Sequence, residues 1–138
     1  MTRILFVCVE NSCRSQMAEG FARRLGEGRI EAYSAGSKAT GSVNSEAVVV
    51  MKEVGIDISG QSSKGFTDLP VAEFDYVVTM GCQDICPFFP AKAELAWQID
   101  DPKGGDRQLF RRVRGEIEQQ VARLIEIIAK TKKGGDKK

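Results

Sequence analysis

The chain has 138 residues and a net charge of +1, from 20 Lys and Arg residues against 19 Asp and Glu residues. This length suits one domain with a real core, and the balanced charge gives no support for a nucleic-acid or anionic-membrane partner. The sequence contains no histidine, which excludes Cys-His and Ser-His catalysis and every His-ligated metal site.

The sequence predicts a cytoplasmic protein without a membrane segment. The N-terminal residues lead directly into an apolar strand, not a signal peptide, and no apolar run reaches the length of a membrane span. There are four cysteines, Cys8, Cys13, Cys82 and Cys86. In a reducing cytosol such cysteines are more often catalytic, redox-active or metal-binding than structural bridges.

Strands and helices alternate along the chain. In order, the expected elements are strand 4–7, helix 16–25, strand 30–34, helix 44–54 capped by Asn44 or Ser45, strand 74–80, strand 95–99 and a final helix capped by Asp106. This alternation predicts a three-layer α/β fold, a four-stranded parallel sheet with helices on both faces. We expect a single domain over residues 1–131 and a charged, disordered tail over residues 132–138.

The loop after the first strand carries the strongest chemical signal. It reads Cys8-Val9-Glu10-Asn11-Ser12-Cys13-Arg14-Ser15. Such a loop, with a helix N-terminus behind it, offers successive backbone N–H groups to a tetrahedral oxyanion, and Arg14 can bind two of its oxygens. The same positive field favours the thiolate of Cys8, to which the Ser15 hydroxyl can donate a hydrogen bond. Cys8 is therefore a candidate nucleophile; the alternative, a buried inert cysteine, is disfavoured by the combination of strand, loop and helix.

Other chemically interesting residues follow later strands. Cys82 follows the third predicted strand, and the Asp100-Asp101-Pro102 loop follows the fourth. In parallel sheets ligands bind beyond the carboxyl ends of the strands. We therefore expect these residues to meet the Cys8 loop at one edge of the sheet.

Residues 7–21, VCVENSCRSQMAEGF, resemble the arsenate reductases built on the low-molecular-weight protein tyrosine phosphatase fold. Similar stretches are Tyr33-Ser34-Ala35-Gly36, Gly55-Ile56-Asp57-Ile58-Ser59, Val77-Val78-Thr79-Met80 and Asp101-Pro102, so the likeness covers about residues 3–130. The resemblance implies that Cys8 is the nucleophile and that Asp101 is the general acid for the leaving oxygen. It also implies that Arg14 and the loop amides bind the oxyanion, while Asn11 and Ser15 orient the loop and the thiolate.

Cys82 and Cys86 favour a reductase over a phosphatase. The resemblance implies that one of these thiolates attacks a covalent Cys8–arsenic adduct, releases arsenite, and passes the disulfide to the other. The alternative roles for this pair of cysteines are two buried small hydrophobic residues or half of a zinc site. Because only three residues separate Cys82 from Cys86, the order of disulfide transfer stays open.

The implied substrate is arsenate, with phosphate or sulfate as competing oxyanions, in a monomer that needs no cofactor or resident metal. Thioredoxin is the first choice of reductant, and glutaredoxin with a low-molecular-weight thiol is the second. Lys64 stands where some family members carry an aspartate ligand of potassium, so we expect its ammonium to replace that ion beside Glu19 and Asn11.

Two alternative functions stay open. One is a low-molecular-weight phosphatase that hydrolyses phosphotyrosine or small phosphate esters, and the other is a non-catalytic oxyanion-binding protein. Lys103-Gly104-Gly105 follows Asp101-Pro102, where the phosphatases usually carry aromatic residues that grip a phosphotyrosine ring. A non-aromatic rim favours a small inorganic oxyanion.

Overall fold

The computed structural model describes residues 1–80 and 91–136, with side chains described as far as Thr131. Its elements, in chain order, are β1 (Thr2–Val7), α1 (Arg14–Leu25), β2 (Ile30–Ala35), α2 (Ser45–Glu53), a 3₁₀-helix (Phe66–Asp68), β3 (Phe74–Thr79), β4 (Ala91–Ala96) and α3 (Arg107–Asp136). No helix within these residues is long and apolar enough to cross a lipid bilayer.

The four strands form one parallel sheet in the order β2-β1-β3-β4. At its carboxyl end, Val7 of the central strand β1 pairs with Ala35 of β2 and with Thr79 of β3. Thr79 pairs in turn with Ala96 of β4. All four strands therefore end along the same edge of the sheet, and the loops that leave this edge lie side by side.

Alternate residues of β1 face two different layers. Ile4 and Phe6 join the large core that the α-helices share, and both are 0% exposed. Leu5 and Val7 face the opposite side, where Phe66 of the 3₁₀-helix packs. The predicted three-layer α/β fold is confirmed. In the described part of the chain, the α-helices lie on one face and the 3₁₀-helix lies on the other.

The position predicted for the fourth strand is wrong. We expected residues 95–99, but β4 spans Ala91–Ala96. This edge strand has the sequence AKAELA and pairs only with β3, so its position is set by pairing and not by intrinsic strand propensity. Trp97 follows the strand, donates its backbone N–H to the carbonyl of Thr79 (2.9 Å) and packs its ring on Phe6.

Two helix ends differ from the prediction: α1 begins at Arg14 and not at residue 16, and α3 extends further at its C-terminus. Asn44 accepts two backbone N–H groups of α2, from Glu46 (2.9 Å) and Ala47 (3.2 Å), and Asp106 accepts the N–H of Leu109 (2.9 Å). Both predicted caps are confirmed. However, α3 continues to Asp136, beyond the boundary at residue 131 where we expected disorder to begin. Lysine has a high helix propensity, so a charged composition alone does not end a helix.

Candidate active site

The loop between β1 and α1 turns its carbonyl groups outward. Four carbonyls in succession accept hydrogen bonds from elsewhere: Val9 from Lys38 N (2.8 Å), Glu10 from Ser63 Oγ (2.9 Å), Asn11 from Gln16 Nε2 (2.9 Å) and Ser12 from Asn44 N (2.9 Å). In a trans peptide the next N–H points the opposite way, so the amides of residues 10–13 point inward. No acceptor in the described part of the chain takes these amides. The loop is therefore a cradle of donors for an anion.

Asn11 holds the turn of this cradle. Its φ of 50° is positive, a backbone conformation that asparagine tolerates better than most residues. Its Oδ1 accepts the backbone N–H of Lys64 (2.8 Å) and the amide of Gln16 (2.9 Å). A backbone N–H can only donate, which fixes the orientation of the Asn11 amide. Its Nδ2 therefore donates to Ser15 Oγ, 2.7 Å away.

This orientation also settles the hydrogen bond at Cys8. Cys8 is 3% exposed at the end of β1, and its Sγ lies 2.8 Å from Ser15 Oγ. Because Ser15 accepts from Asn11, the hydroxyl proton of Ser15 is available to Cys8. Such a donor favours the negatively charged form of the sulfur. The hydrogen bonds from Asn11 to Ser15 and from Ser15 to Cys8 thus direct a hydrogen-bond donor at the nucleophile.

Gly36, which follows β2, packs against the back of the cradle. A Cβ built on Gly36 would lie 2.5 Å from the carbonyl oxygens of Cys8 and Val9, and 2.8 Å from the nitrogen of Asn11. These are backbone atoms that cannot rotate away. Only glycine lets β2 approach the loop this closely.

Arg14 and Asp101 form the opposite wall. The Arg14 side chain is 9% exposed, its Nη1 donates to the carbonyl of Ile99 (3.1 Å), and its Nη2 lies 3.6 Å from Asp101 Oδ2. Asp101 is about half exposed, and its Oδ1 accepts the N–H of Lys103 (3.1 Å). The carboxyl group therefore faces the site and is open to solvent, as a general acid requires.

Cys13 is as buried as Cys8, at 3% exposure, but its sulfur has a different neighbour, the Ser12 hydroxyl at 3.8 Å. The loss of solvation raises the pKa of the Cys13 thiol to about 11, against a smaller opposing effect of the Ser12 hydroxyl. A thiol with this pKa stays protonated at neutral pH and is a poor nucleophile. Its side chain belongs to the core that the α-helices share. Cys13 is placed to lend its amide to the cradle and its side chain to packing.

Glu19 is a buried carboxylate behind the loop with two charged partners that reach toward the surface. It is 1% exposed, and it pairs with Arg23 (2.7 Å) and accepts the hydroxyl of Ser34. Lys64 Nζ lies 3.8 Å from Glu19 Oε1 and also donates to the carbonyl of Ser62 (2.9 Å). The lysine ammonium is thus next to Glu19, while the Lys64 backbone supports Asn11.

The described structure brings together most of the predicted site residues. Cys8, Arg14, Ser15 and the loop between them share the sheet edge with Asp101. Cys82 and Cys86 lie outside the described residues. Three supports of the loop, Gln16, Lys38 and Ser63, were not predicted from the sequence. Gln16 is a fully buried polar residue in the first turn of a helix, whereas Lys38 is an exposed loop residue and Ser63 a buried loop residue, and neither has a local sequence signal.

Comparison with known proteins gives a consistent picture. The family model for low molecular weight phosphotyrosine protein phosphatases matches residues 3–134. A Synechocystis sp. glutaredoxin arsenate reductase is 42% identical over 91% of this chain and 97% of its own length. An arsenate reductase solved in the phosphate binding state is 41% identical, with a TM-score of 0.84, over 93% of this chain and 99% of that one. A Corynebacterium glutamicum thioredoxin-dependent arsenate reductase is 30% identical, with a TM-score of 0.81, over 95% of this chain and 63% of that one.

Proposed function

Because the chain belongs to the low molecular weight phosphotyrosine protein phosphatase family, with arsenate reductases among its relatives at about 40% identity, we propose that it reduces arsenate to arsenite. The observation that carries this proposal is the cradle itself. A run of inward amides surrounds the space above Cys8, whose sulfur is hydrogen-bonded to Ser15, and Arg14 and Asp101 form the opposite wall. This set of groups can bind an oxyanion, attack its central atom and protonate the leaving oxygen.

In the first step the Cys8 thiolate attacks the arsenic atom of arsenate. A sulfur–arsenic bond forms, an arsenic–oxygen bond breaks, and the oxygen leaves as water after Asp101 donates a proton. Arg14 lies 3.6 Å from Asp101 Oδ2. A bound oxyanion that engages the Arg14 guanidinium would therefore lie beside the Asp101 carboxyl group, within reach of the proton transfer that this step requires.

Reduction in the second step requires further thiols, for which we propose Cys82 and Cys86. The Cys82 thiolate attacks the Cys8 sulfur, the electron pair of the sulfur–arsenic bond stays on arsenic, and arsenite leaves as As(III). Cys86 then attacks Cys82, which frees Cys8 and leaves a Cys82–Cys86 disulfide for an external reductant. Their place in the sequence, just beyond the end of β3 at the site edge, supports this assignment.

The test couples arsenate to the oxidation of NADPH through thioredoxin and its reductase, alongside hydrolysis of p-nitrophenyl phosphate. Cys82→Ser and Cys86→Ser should lose arsenate turnover and keep ester hydrolysis, because hydrolysis needs only Cys8, Arg14 and Asp101. The retained hydrolysis is the internal control for folding. Native protein that hydrolyses the ester well and ignores arsenate with every reductant would refute the proposal.

A second arm replaces thioredoxin with glutaredoxin and glutathione. The Synechocystis relative is named for glutaredoxin and the Corynebacterium relative for thioredoxin, so both reductants are needed in the assay. Faster turnover in one arm identifies the reductant. If glutathione is consumed in each cycle even without glutaredoxin, a small thiol takes part of the role proposed for Cys86, the attack on the Cys8–Cys82 disulfide.

The alternative function is a phosphatase, which fits the family model but is less supported by the named relatives, since the same cradle and nucleophile serve both reactions. In that case water, not Cys82, attacks the covalent Cys8 intermediate. Burst kinetics with p-nitrophenyl phosphate and no NADPH oxidation with arsenate would support it. Weak ester hydrolysis is also expected of an arsenate reductase, because both reactions begin with attack by Cys8 on the bound oxyanion.

The remaining parts of the proposal concern context. A relay of thiols operates only where they are kept reduced, which supports a cytoplasmic location. We propose that residues 1–131 suffice for activity as one domain and that the protein works as a monomer. Sedimentation of the active protein, and an assay of a chain that ends at residue 131, test these two points.

A further inference from the structure

An ion pair joins the two walls of the candidate site. Glu10, in the cradle loop, pairs through Oε1 with the Nζ of Lys103, which follows the Asp101-Pro102 segment after β4. The two side chains are 34% and 49% exposed, respectively, so the pair lies at the surface of the molecule and not in its core. The Glu10 amide is one of those that point into the cradle, so the pair is at the rim of the anion site.

Lys103 also contacts the proposed general acid. Its backbone N–H donates to Asp101 Oδ1 (3.1 Å), while Asp101 Oδ2 lies 3.6 Å from Arg14. The contacts therefore close a ring from the cradle loop through Glu10, Lys103 and Asp101 to Arg14 and back to the loop. The hydrogen bond to Glu10 raises the pKa of Lys103, so the ammonium is charged throughout the neutral range.

We propose that the Glu10–Lys103 pair is a specificity-determining bridge across the mouth of this site, which favours compact inorganic oxyanions over esters with a bulky group. The inference rests on the proposed function, since it explains how a phosphatase-type cradle selects arsenate. An ester group must extend from the bound oxyanion toward solvent between the cradle loop and the Asp101 loop. A bridge that ties these loops together narrows this passage, whereas a free oxyanion needs no such passage.

The charges of the pair give the two residues opposite effects on anion binding. Loss of the Lys103 charge leaves Glu10 negative beside the cradle, which repels a bound dianion. Loss of the Glu10 charge leaves Lys103 positive, which attracts it. Loss of either partner opens the bridge. Two single variants, one at Lys103 and one at Glu10, therefore separate the effect of opening the bridge, which they share, from the effect of the remaining charge, which has opposite signs.

The experiment measures the dissociation constants of inorganic phosphate and of phenylphosphonate, an aryl analogue that is not hydrolysed, by calorimetry. In Lys103→Met and in Glu10→Gln the affinity for phenylphosphonate relative to phosphate should rise about two- to fivefold, the range expected of a partly exposed pair. Phosphate itself should bind more weakly to Lys103→Met than to Glu10→Gln, with a difference that shrinks at high salt. The charge swap Glu10→Lys with Lys103→Glu should restore the native selectivity.

Glu46→Gln is the matched control, because Glu46 pairs with Arg107 at the surface with similar exposure. This variant should leave the ratio of the two affinities unchanged. An unchanged ratio in both Lys103→Met and Glu10→Gln would overturn the inference, as would a charge swap that fails to restore it. These binding measurements need no reductant. A native protein that fails to reduce arsenate would refute the proposed function, while the phosphonate ratio would still decide whether the pair governs selectivity.

Discussion

Replacement of Gly36 by alanine is the sharpest test of the cradle. The added Cβ would lie 2.5 Å from two carbonyl oxygens, those of Cys8 and Val9, and 2.8 Å from the nitrogen of Asn11. Separations under 3.0 Å are essentially never found, so each oxygen must move by at least 0.5 Å, the difference between 3.0 and 2.5 Å. Because all three atoms belong to the backbone, the whole loop must shift and no side chain can relieve the contact.

The expected effect is a large loss of activity in a protein that still folds. Hydrogen-bond donors stabilise an oxyanion only if the donor-to-oxygen distance is kept within a few tenths of an ångström. Removing one such donor lowers the rate about 10²- to 10³-fold. A shift of the loop by half an ångström should therefore lower kcat/KM for p-nitrophenyl phosphate by about 10²-fold and weaken phosphate binding. Overpacking of this kind costs about 1–3 kcal/mol of stability, which a thermal unfolding curve would detect.

Gly60→Ala is the matched control, since a Cβ at Gly60 meets nothing within 4 Å and its φ is not positive. We expect this variant to keep native hydrolysis and phosphate affinity. If Gly36→Ala has the same unfolding temperature and the same phosphate affinity as the native protein, the cradle does not depend on the close approach of β2. That result would refute the role assigned to Gly36.

Three further predictions concern individual side chains. Ser15→Ala should slow the attack by Cys8 about 10- to 100-fold, because a hydrogen bond to a charged group contributes about 1.5–3 kcal/mol; burst kinetics that match the native rate would contradict this. Activity should be insensitive to potassium, since Lys64 places an ammonium beside Glu19. Strong stimulation of the native protein by potassium chloride over sodium chloride would refute the hypothesis that this ammonium replaces a potassium ion. Cys13, with a pKa raised to about 11, should resist iodoacetamide at pH 7 and react only as the pH approaches that value. Peptide mass spectrometry measures this, and alkylation of Cys13 at pH 7 as fast as that of Cys8 would contradict it.

Apart from Asp101, which its place after the fourth strand brings to the site, the parts of the site that the sequence predicts are built from neighbouring residues. Cys8, Arg14 and Ser15 follow one strand and begin one helix, so their spacing alone indicates a cradle. The caps at Asn44 and Asp106 are equally local, because each side chain accepts N–H groups only two or three residues away. Local geometry leaves few alternatives in such segments.

Other parts depend on pairing between distant residues, which spacing does not encode. The edge strand β4 consists of alanine, lysine, glutamate and leucine, which favour helices, and only its pairing with β3 makes it a strand. Lys38 and Ser63 support the cradle from loops that no motif marks. The close approach of Gly36 is likewise not predicted, since the sequence places Gly36 only after a strand and in a stretch that resembles the family.

The outward carbonyls of the cradle have a thermodynamic consequence. Their four donors come from α1, from the segment after β2, from the N-cap of α2 and from the loop before the 3₁₀-helix. The anion site is thus assembled only when these distant segments are all in place, and an unfolded chain has no comparable affinity for an oxyanion. Phosphate or arsenate should therefore raise the free energy of unfolding of the whole domain, by about 2.7 kcal/mol at a concentration one hundred times the dissociation constant. The enzyme would be most resistant to unfolding when its substrate is abundant.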